Sequence, residues 1–238
     1  GPAGADDRRV AGAVAAAPPE AVRVVVGVAK TSRVGLGKGM APGTASVAAV
    51  ASAMLALAAC QPAPPPPSFQ ATDISGVAFA RDFSLTDHNG QLRSLQDFKG
   101  RAVIVFFGYT QCPDVCPTSM AELAEVKKLL GPDGDKLQGI FVTVDPARDT
   151  AEVLKAYMTN FDPSFLALIP TPEQLAAVAK DFKIYYKRVE GKTPTSYTMD
   201  HSAGSYLYDP QGRLRVYNRY GSGAPALAAD VKQLLKGA

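Results

Sequence analysis

The sequence predicts an α/β domain with a mixed central sheet, flanked by helices and opened by an N-terminal β-hairpin. Three observations carry this expectation. Residues 102–107 are apolar at every position, so both faces of that strand must be covered, as in a central strand between helical layers. Residues 139–144 form a second such strand. Around these runs lie segments whose apolar residues recur at helical spacing, and strands alternating with helices build a layered α/β fold.

The elements follow in order. Phe83 and Leu85 alternate with polar neighbours, Asn89-Gly90 is a type I′ turn signal, and Leu92 and Leu95 follow, which together read as a hairpin. After the strand at 102–107 an amphipathic helical pattern runs over 121–130. Asp149-Thr150-Ala151-Glu152 fits a capping box opening a helix through 161, with Leu154, Tyr157 and Met158 at helical spacing. Thr171-Pro172-Glu173-Gln174 starts another helix, with proline at its first position, and this one runs to about 182. Residues 183–189 and 205–208 read as strands, Asp209-Pro210-Gln211-Gly212 as a turn, 213–217 as the returning strand and 225–235 as the last helix. The predicted order is hairpin, β, α, β, α, β, α, β, β, α over residues 79–238, with no internal repeat.

A length of 238 residues allows one or two domains, and 47% hydrophobic content is ordinary for a globular chain. The formal net charge of +3 is concentrated at the start. Residues 1–39 hold six basic and three acidic side chains, leaving 19 of each for the rest. A neutral body without a basic stripe gives no electrostatic footprint for nucleic acid, so no such partner is expected. Residues 1–39 show no sustained period and read as a leader or an over-extended start.

Three cysteines leave one over from any single disulfide. Cys60 ends the Ala-rich apolar run 47–59, and Leu57-Ala58-Ala59-Cys60 resembles the lipobox of bacterial lipoproteins. The run is shorter than the roughly 18 residues of a spanning helix. Residues 40–60 are therefore expected to be a lipoprotein signal, with Cys60 lipidated and the rest tethered on the periplasmic face of a bacterial membrane; an uncleaved N-terminal anchor is the alternative. No Lys or Arg lies between Met40 and Cys60, and an upstream start would supply Arg33 and Lys38 as the basic segment. Either placement is one in which disulfides persist. Residues 61–78 follow as a linker whose four prolines at 64–67 favour extended polyproline II.

Cys112 and Cys116 lie between the 102–107 strand and the following helix, within Cys112-Pro113-Asp114-Val115-Cys116-Pro117. Thioredoxins place a cysteine pair at the same kind of junction, but three apart; here the spacing is four. A helix N-terminus favours thiolate, and thiolates are both nucleophiles and soft metal ligands. The position alone decides neither, and two cysteines are too few for a closed zinc site or a cluster. Histidine is scarce. His88 lies in the hairpin turn and reads as solvated; His201, in Met199-Asp200-His201-Ser202, precedes the 205–208 strand, where a thioredoxin-like sheet would border the cysteine helix.

Taken together, Gly108-Tyr109-Thr110-Gln111-Cys112-Pro113-Asp114-Val115-Cys116-Pro117, Val144-Asp145-Pro146-Ala147-Arg148-Asp149-Thr150 and Asp200-His201 resemble the SCO/SenC family of copper-binding assembly factors, over about 79–235. The resemblance implies a thioredoxin-like fold that binds one copper, Cu(I) or Cu(II), through Cys112, Cys116 and His201. It also implies delivery of copper to, or maintenance of the thiols of, the binuclear copper centre of cytochrome c oxidase subunit II, alongside other periplasmic copper carriers. Oxidation of Cys112 and Cys116 to a disulfide would remove the site. Asp200 is expected to orient the imidazole or lend a weak oxygen ligand, Tyr109 to cover the site or pack at the strand end, and Asp114 to shape the loop or face a partner. Pro117 opens the helix. Asp145-Pro146 and Arg148-Asp149 read as a turn, an ion pair and a helix cap rather than chemistry.

The competing reading is an extracytoplasmic thiol–disulfide oxidoreductase using Cys112 and Cys116. A peroxidase of the peroxiredoxin type fits poorly: Thr110-Gln111-Cys112 is one residue short of a T-x-x-C core, and 107–109 hold no proline.

Overall fold

The structure, a computed structural model, describes residues 68–193 and 196–237. The leader at 1–39, the signal segment at 40–60 with Cys60, and the proline run at 64–67 lie outside the described residues. In chain order the elements are β1 (Thr72–Asp73), β2 (Leu85–Asp87), β3 (Leu92–Arg93), β4 (Ala102–Gly108), α1 (Val115–Leu129), β5 (Leu137–Thr143), α2 (Ala151–Thr159), β6 (Leu166–Ile169), α3 (Pro172–Phe182), β7 (Tyr186–Val189), β8 (Thr198–His201), β9 (Ser205–Tyr208), β10 (Leu214–Asn218) and α4 (Ala224–Leu235).

Eight strands form one mixed sheet in the order β1-β10-β9-β4-β5-β6-β2-β3. β4, β5 and β6 are parallel, and the strands flanking them run antiparallel. The two apolar runs occupy the centre, and every residue of β4 and β5 is buried. Successive strand residues point to opposite faces, so Phe106 and Phe107 sort the helices into two layers. The α1 residue Cys116 packs against β4 on the Phe106 and Gly108 side, and Tyr157 of α2 lies with its ring centroid 5.7 Å from that of Phe141 on the same side. Phe182 of α3 meets Phe107 at 5.1 Å on the other. Helix α4 packs along α1. Phe106, Phe107 and Phe141 are each fully buried, and each contributes about 1.5–3 kcal/mol in transfer terms. The arrangement is thioredoxin-like.

Several boundaries differ from the sequence reading, each for a local reason. The domain begins before residue 79. β1 pairs with β10, Asp230 of α4 accepts the backbone amides of Gln70 (2.6 Å) and Ala71 (2.9 Å), and Phe69, Ile74 and Val77 pack on the core. Residues 68–78 therefore belong with the folded domain and not with the linker. Helix α1 starts at Val115, six residues before the amphipathic pattern, because its first turn carries Cys116 and Pro117 instead of a periodic apolar stripe. Thr150, and not Asp149, caps α2: its side chain accepts the Val153 amide. The α3 capping box between Thr171 and Gln174 is present as expected. The β2–β3 hairpin turns at Gly90, whose φ of +81° suits glycine, while Leu95 falls in a 3-10 turn (Leu95–Phe98). β6 is too short for periodicity to delimit. Of residues 183–189 only Tyr186–Val189 is strand, and it pairs with β8 in a separate two-stranded sheet.

Candidate metal centre

The site lies at the carboxyl end of β4 and is assembled from three places in the chain. β4 ends at Gly108, the chain turns through Tyr109–Asp114, and α1 begins at Val115. Its second residue is Cys116, whose amide is one of the unpaired donors of a helix start. That amide donates to Cys112 Sγ at 3.4 Å, so the first cysteine sulfur acts as the acceptor at the helix end. Pro117 comes third in α1, within the first turn, where no intrahelical donor is lost. Glycine at 108 is required by packing. A Cβ there would lie 2.8 Å from Cys116 Sγ and 2.9 Å from atoms of the Phe106 and Phe141 rings.

His201 is the last residue of β8 and reaches the pair from the opposite wall. Its Nε2 lies 3.3 Å from Cys116 Sγ. Its Nδ1 lies 2.9 Å from the Ser202 carbonyl oxygen, which can only accept, so Nδ1 carries the hydrogen and the Nε2 lone pair faces the sulfur. The ring meets Phe106 and Tyr109 edge-on, with centroids 6.1 and 5.8 Å away. The two sulfurs and an imidazole nitrogen all lie within 4.8 Å of one another. Cys112 is half-buried, Cys116 is fully buried, and both thiols are free.

Electrostatics set the resting state. Burial pushes the Cys116 thiol well above its ordinary value of 9.0, against a backbone hydrogen bond from Tyr109 that pulls it down. Burial likewise lowers His201 below 6.5, with the Ser202 bond and the Asp200 charge acting the other way. Near neutral pH the centre therefore holds a protonated Cys116 thiol and a neutral imidazole. Two soft sulfurs and one imidazole suit a soft, low-coordinate cation, and copper(I) fits that donor set. Taking up such an ion displaces the Cys116 proton.

The neighbours correct several expectations. Asp200 is exposed and does not orient the imidazole through a hydrogen bond; the Ser202 carbonyl does so, and Asp200 acts on His201 only through its charge. Asp114 is exposed and accepts from the Thr118 hydroxyl at 3.4 Å. Asp114, Asp200, Pro113 and Met199 line an opening of about 240 Å³ that leads to Cys112 and His201. Tyr109 is buried with its ring edge on His201, so it both packs and covers the site. His88 is remote, but not simply solvated. It is half-buried, and its Nδ1 accepts the Ala167 amide at 3.0 Å.

Asp149, read from the sequence as a cap, is instead a buried tie. It accepts from the Thr110 amide (3.1 Å), the Thr110 hydroxyl (2.6 Å) and the Thr143 hydroxyl (2.6 Å), fixing the cysteine loop to the end of β5. Burial raises its carboxyl above the ordinary value, and these donors oppose the shift. Because the Thr110 hydroxyl is committed to Asp149, it is not the free donor that a peroxidase core would need. Arg148 pairs with Asp145, as the sequence suggested.

A family model described as SCO1/SenC matches residues 71–236. The chain belongs to the SCO1/SenC family. An SCO2-like protein of Rickettsia felis is 35% identical over 162 residues, which is 68% of this chain and 77% of the relative. The copper-bound structure of ScoI from Bradyrhizobium japonicum is 41% identical with a TM-score of 0.61, covering 66% of this chain and 99% of that one. Apo Sco1 of Thermus thermophilus is 32% identical with a TM-score of 0.61, covering 71% and 98%. The match opens at residue 71, in agreement with a SCO1/SenC domain that includes β1.

Proposed function

We propose that this SCO1/SenC protein is a copper metallochaperone that holds one copper through Cys112, Cys116 and His201. It passes the metal to, or keeps reduced the thiols of, the binuclear copper centre of cytochrome c oxidase subunit II. The observation that carries the reading is the convergence of two sulfurs and one imidazole nitrogen within 4.8 Å. It is supported by the copper bound to a relative 41% identical in sequence. Copper is cargo here. What the chain supplies is an imidazole held in the right tautomer by Ser202, a dry wall of Phe106 and Tyr109, and a helix-end amide on Cys112.

The test is copper(I) competition against a chromophoric chelator with the reduced chain. One equivalent should bind, and X-ray absorption should count two sulfurs and one nitrogen. His201→Ala should weaken binding at least about tenfold to a hundredfold, the range seen even for groups that merely support ligands, while His88→Ala leaves it unchanged. Equal affinities for wild type and His201→Ala would remove the reading.

A second reading, thiol–disulfide exchange, is favoured by the closeness of the two free sulfurs and the partial exposure of Cys112. Cys112 thiolate would attack a partner disulfide and release one partner thiolate, which takes up a proton. Cys116, losing its own proton, would then resolve the mixed disulfide, leaving the partner reduced and this pair oxidised. For location, we propose lipidation at Cys60 and a periplasmic setting. Cys60→Ser should free the protein from membranes, and a mutant that still pellets with them would exclude it. Among the described residues no helix is long and apolar enough to cross a membrane.

A further inference from the structure

His201 is carried by a hairpin that packs on the core through Tyr186 and Met199 but is not paired into the main sheet. Among the described residues β7 and β8 pair only with each other, and an isolated two-stranded hairpin is marginal in water. Something else must fix where β8 ends, because the distance from His201 to the cysteines decides whether three ligands can meet one ion.

One side chain reaches both sides. Arg148, in the β5–α2 loop, donates from Nη1 to Gln111 Oε1 at 3.0 Å, beside Cys112, and from the same nitrogen to the Tyr197 carbonyl at 2.8 Å, just before β8. Its Nε pairs with Asp145, and Asp145 Oδ1 accepts the Tyr197 hydroxyl at 2.8 Å. The guanidinium carbon lies 3.5 Å from the Tyr197 ring centroid and 5.7 Å from that of Tyr109, the ring that touches His201. Nη2 is buried and has no hydrogen-bond partner among the described residues. Keeping a guanidinium at the cost of one unpaired donor points to a need for its planar fork, which a lysine cannot reproduce.

We propose that Arg148 is a positioning residue: it ties the cysteine loop at Gln111 to the histidine hairpin at Tyr197 and so sets the spacing between the cysteine pair and His201. Tyr197 stands four residues before His201, about 13 Å along a strand, so a shift at the clamp is carried to the imidazole. The exit of β8 is held separately. The chain enters β9 of the main sheet through Gly204, where a Cβ would lie 2.2 Å from the Tyr217 hydroxyl. Releasing Arg148 therefore loosens one end of the hairpin, which keeps the Tyr197 hydroxyl bond to Asp145 and the packing of Met199, and leaves Cys112 and Cys116 on their strand-to-helix turn.

The inference rests on the copper reading for its metal readout and has a second readout that does not. Arg148→Lys keeps the charge and loses the fork. On the full chain it should lower copper(I) affinity at least tenfold and reduce the nitrogen count in X-ray absorption. The equilibrium constant of the Cys112–Cys116 disulfide against glutathione, measured without metal, should change less than twofold. In the metal-free protein the His201 ring resonances should shift or broaden while those of His88 stay put. Unchanged His201 resonances would overturn the proposal whatever becomes of copper. Equal disturbance of His201, His88 and the disulfide equilibrium would also overturn it, marking a merely structural arginine. If Arg148→Lys does not fold, Tyr197→Phe, which removes only the hydroxyl bond to Asp145, should give the same pattern at smaller size, and no His201 shift there would count against the clamp. If wild type binds no copper while Arg148→Lys still shows the His201 resonance shifts, the copper reading falls and the clamp stands.

Discussion

Gly108→Ala adds one methyl group where β4 faces Cys116. The new Cβ would sit 2.8 Å from Cys116 Sγ, 2.9 Å from Phe106 Cε1 and 2.9 Å from Phe141 Cε2. Carbon–carbon contacts are comfortable at about 3.5–4.0 Å, so each neighbour must retreat by more than half an ångström. Phe106 and Phe141 are fully buried and have nowhere to go. Overpacking of this kind costs about 1–3 kcal/mol, which for a domain of this size lowers Tm by roughly 2–12 °C. The cheaper movement is outward displacement of the Cys116 sulfur, which lengthens its 3.3 Å approach to His201 Nε2. Copper(I) affinity should therefore fall at least about tenfold, the penalty expected when support of a ligand is lost. Gly139→Ala is the control. It drives a Cβ to 2.8 Å from the ring of Phe165, the residue just before β6, four positions along the β4–β5 ladder from Gly108, so it should lower Tm similarly and spare affinity. The assays are thermal unfolding of the reduced, metal-free protein and chelator competition. A Gly108→Ala protein with wild-type Tm and wild-type affinity would refute the packing of Cys116 against the strand.

Further expectations concern pH and the buried tie. Binding a metal expels the Cys116 proton, so log affinity should rise by at least about one unit per pH unit through neutrality and fall on acidification; competition titrations between pH 6 and 8 that show no slope would contradict a protonated resting thiol. Both histidines are lowered below 6.5 by burial. A group lowered in the folded state lends stability that is full above its unfolded value and is lost as pH falls through the folded one. Urea midpoints of the metal-free protein should accordingly drop below about pH 6.5, and the drop should shrink in His201→Ala. Asp149→Ala strands the Thr110 and Thr143 hydroxyls and should cost about 2–4 kcal/mol in urea unfolding, a loss that Asp149→Asn should partly restore.

The central strands were legible because burial on both faces leaves no polar residue in runs such as 102–107, a signal confined to one short window. The Thr171 capping box and the Gly90 turn were legible for the same reason: cause and consequence lie within four residues. Cys112 and Cys116 announced themselves by spacing, but His201 joined them only through a family resemblance, since 85 residues separate it from Cys116. What escaped was long-range. Asp149 looks like a cap because it precedes a helix, and only the folded chain shows Thr110, 39 residues away, taking its carboxylate. β1 is two residues long and owes its existence to β10 and Asp230, which nothing in its own composition records. Tyr197 gave no sign that its ring would lie against the guanidinium of Arg148.

The register of β1 has a geometric consequence. β1 runs antiparallel to β10, β10 to β9, and β9 to β4, and Thr72 stands level with Tyr217, Tyr206 and Val105 across the sheet. The polypeptide thus enters the sheet at the end where β4 delivers the cysteines, three strands and about 14 Å to one side. Residues 61–67 can span at most about 25 Å even when fully drawn out. With lipid on Cys60, as proposed above, that edge of the sheet would be held within this reach of the bilayer, so the tether would set how far the copper site can travel to a partner.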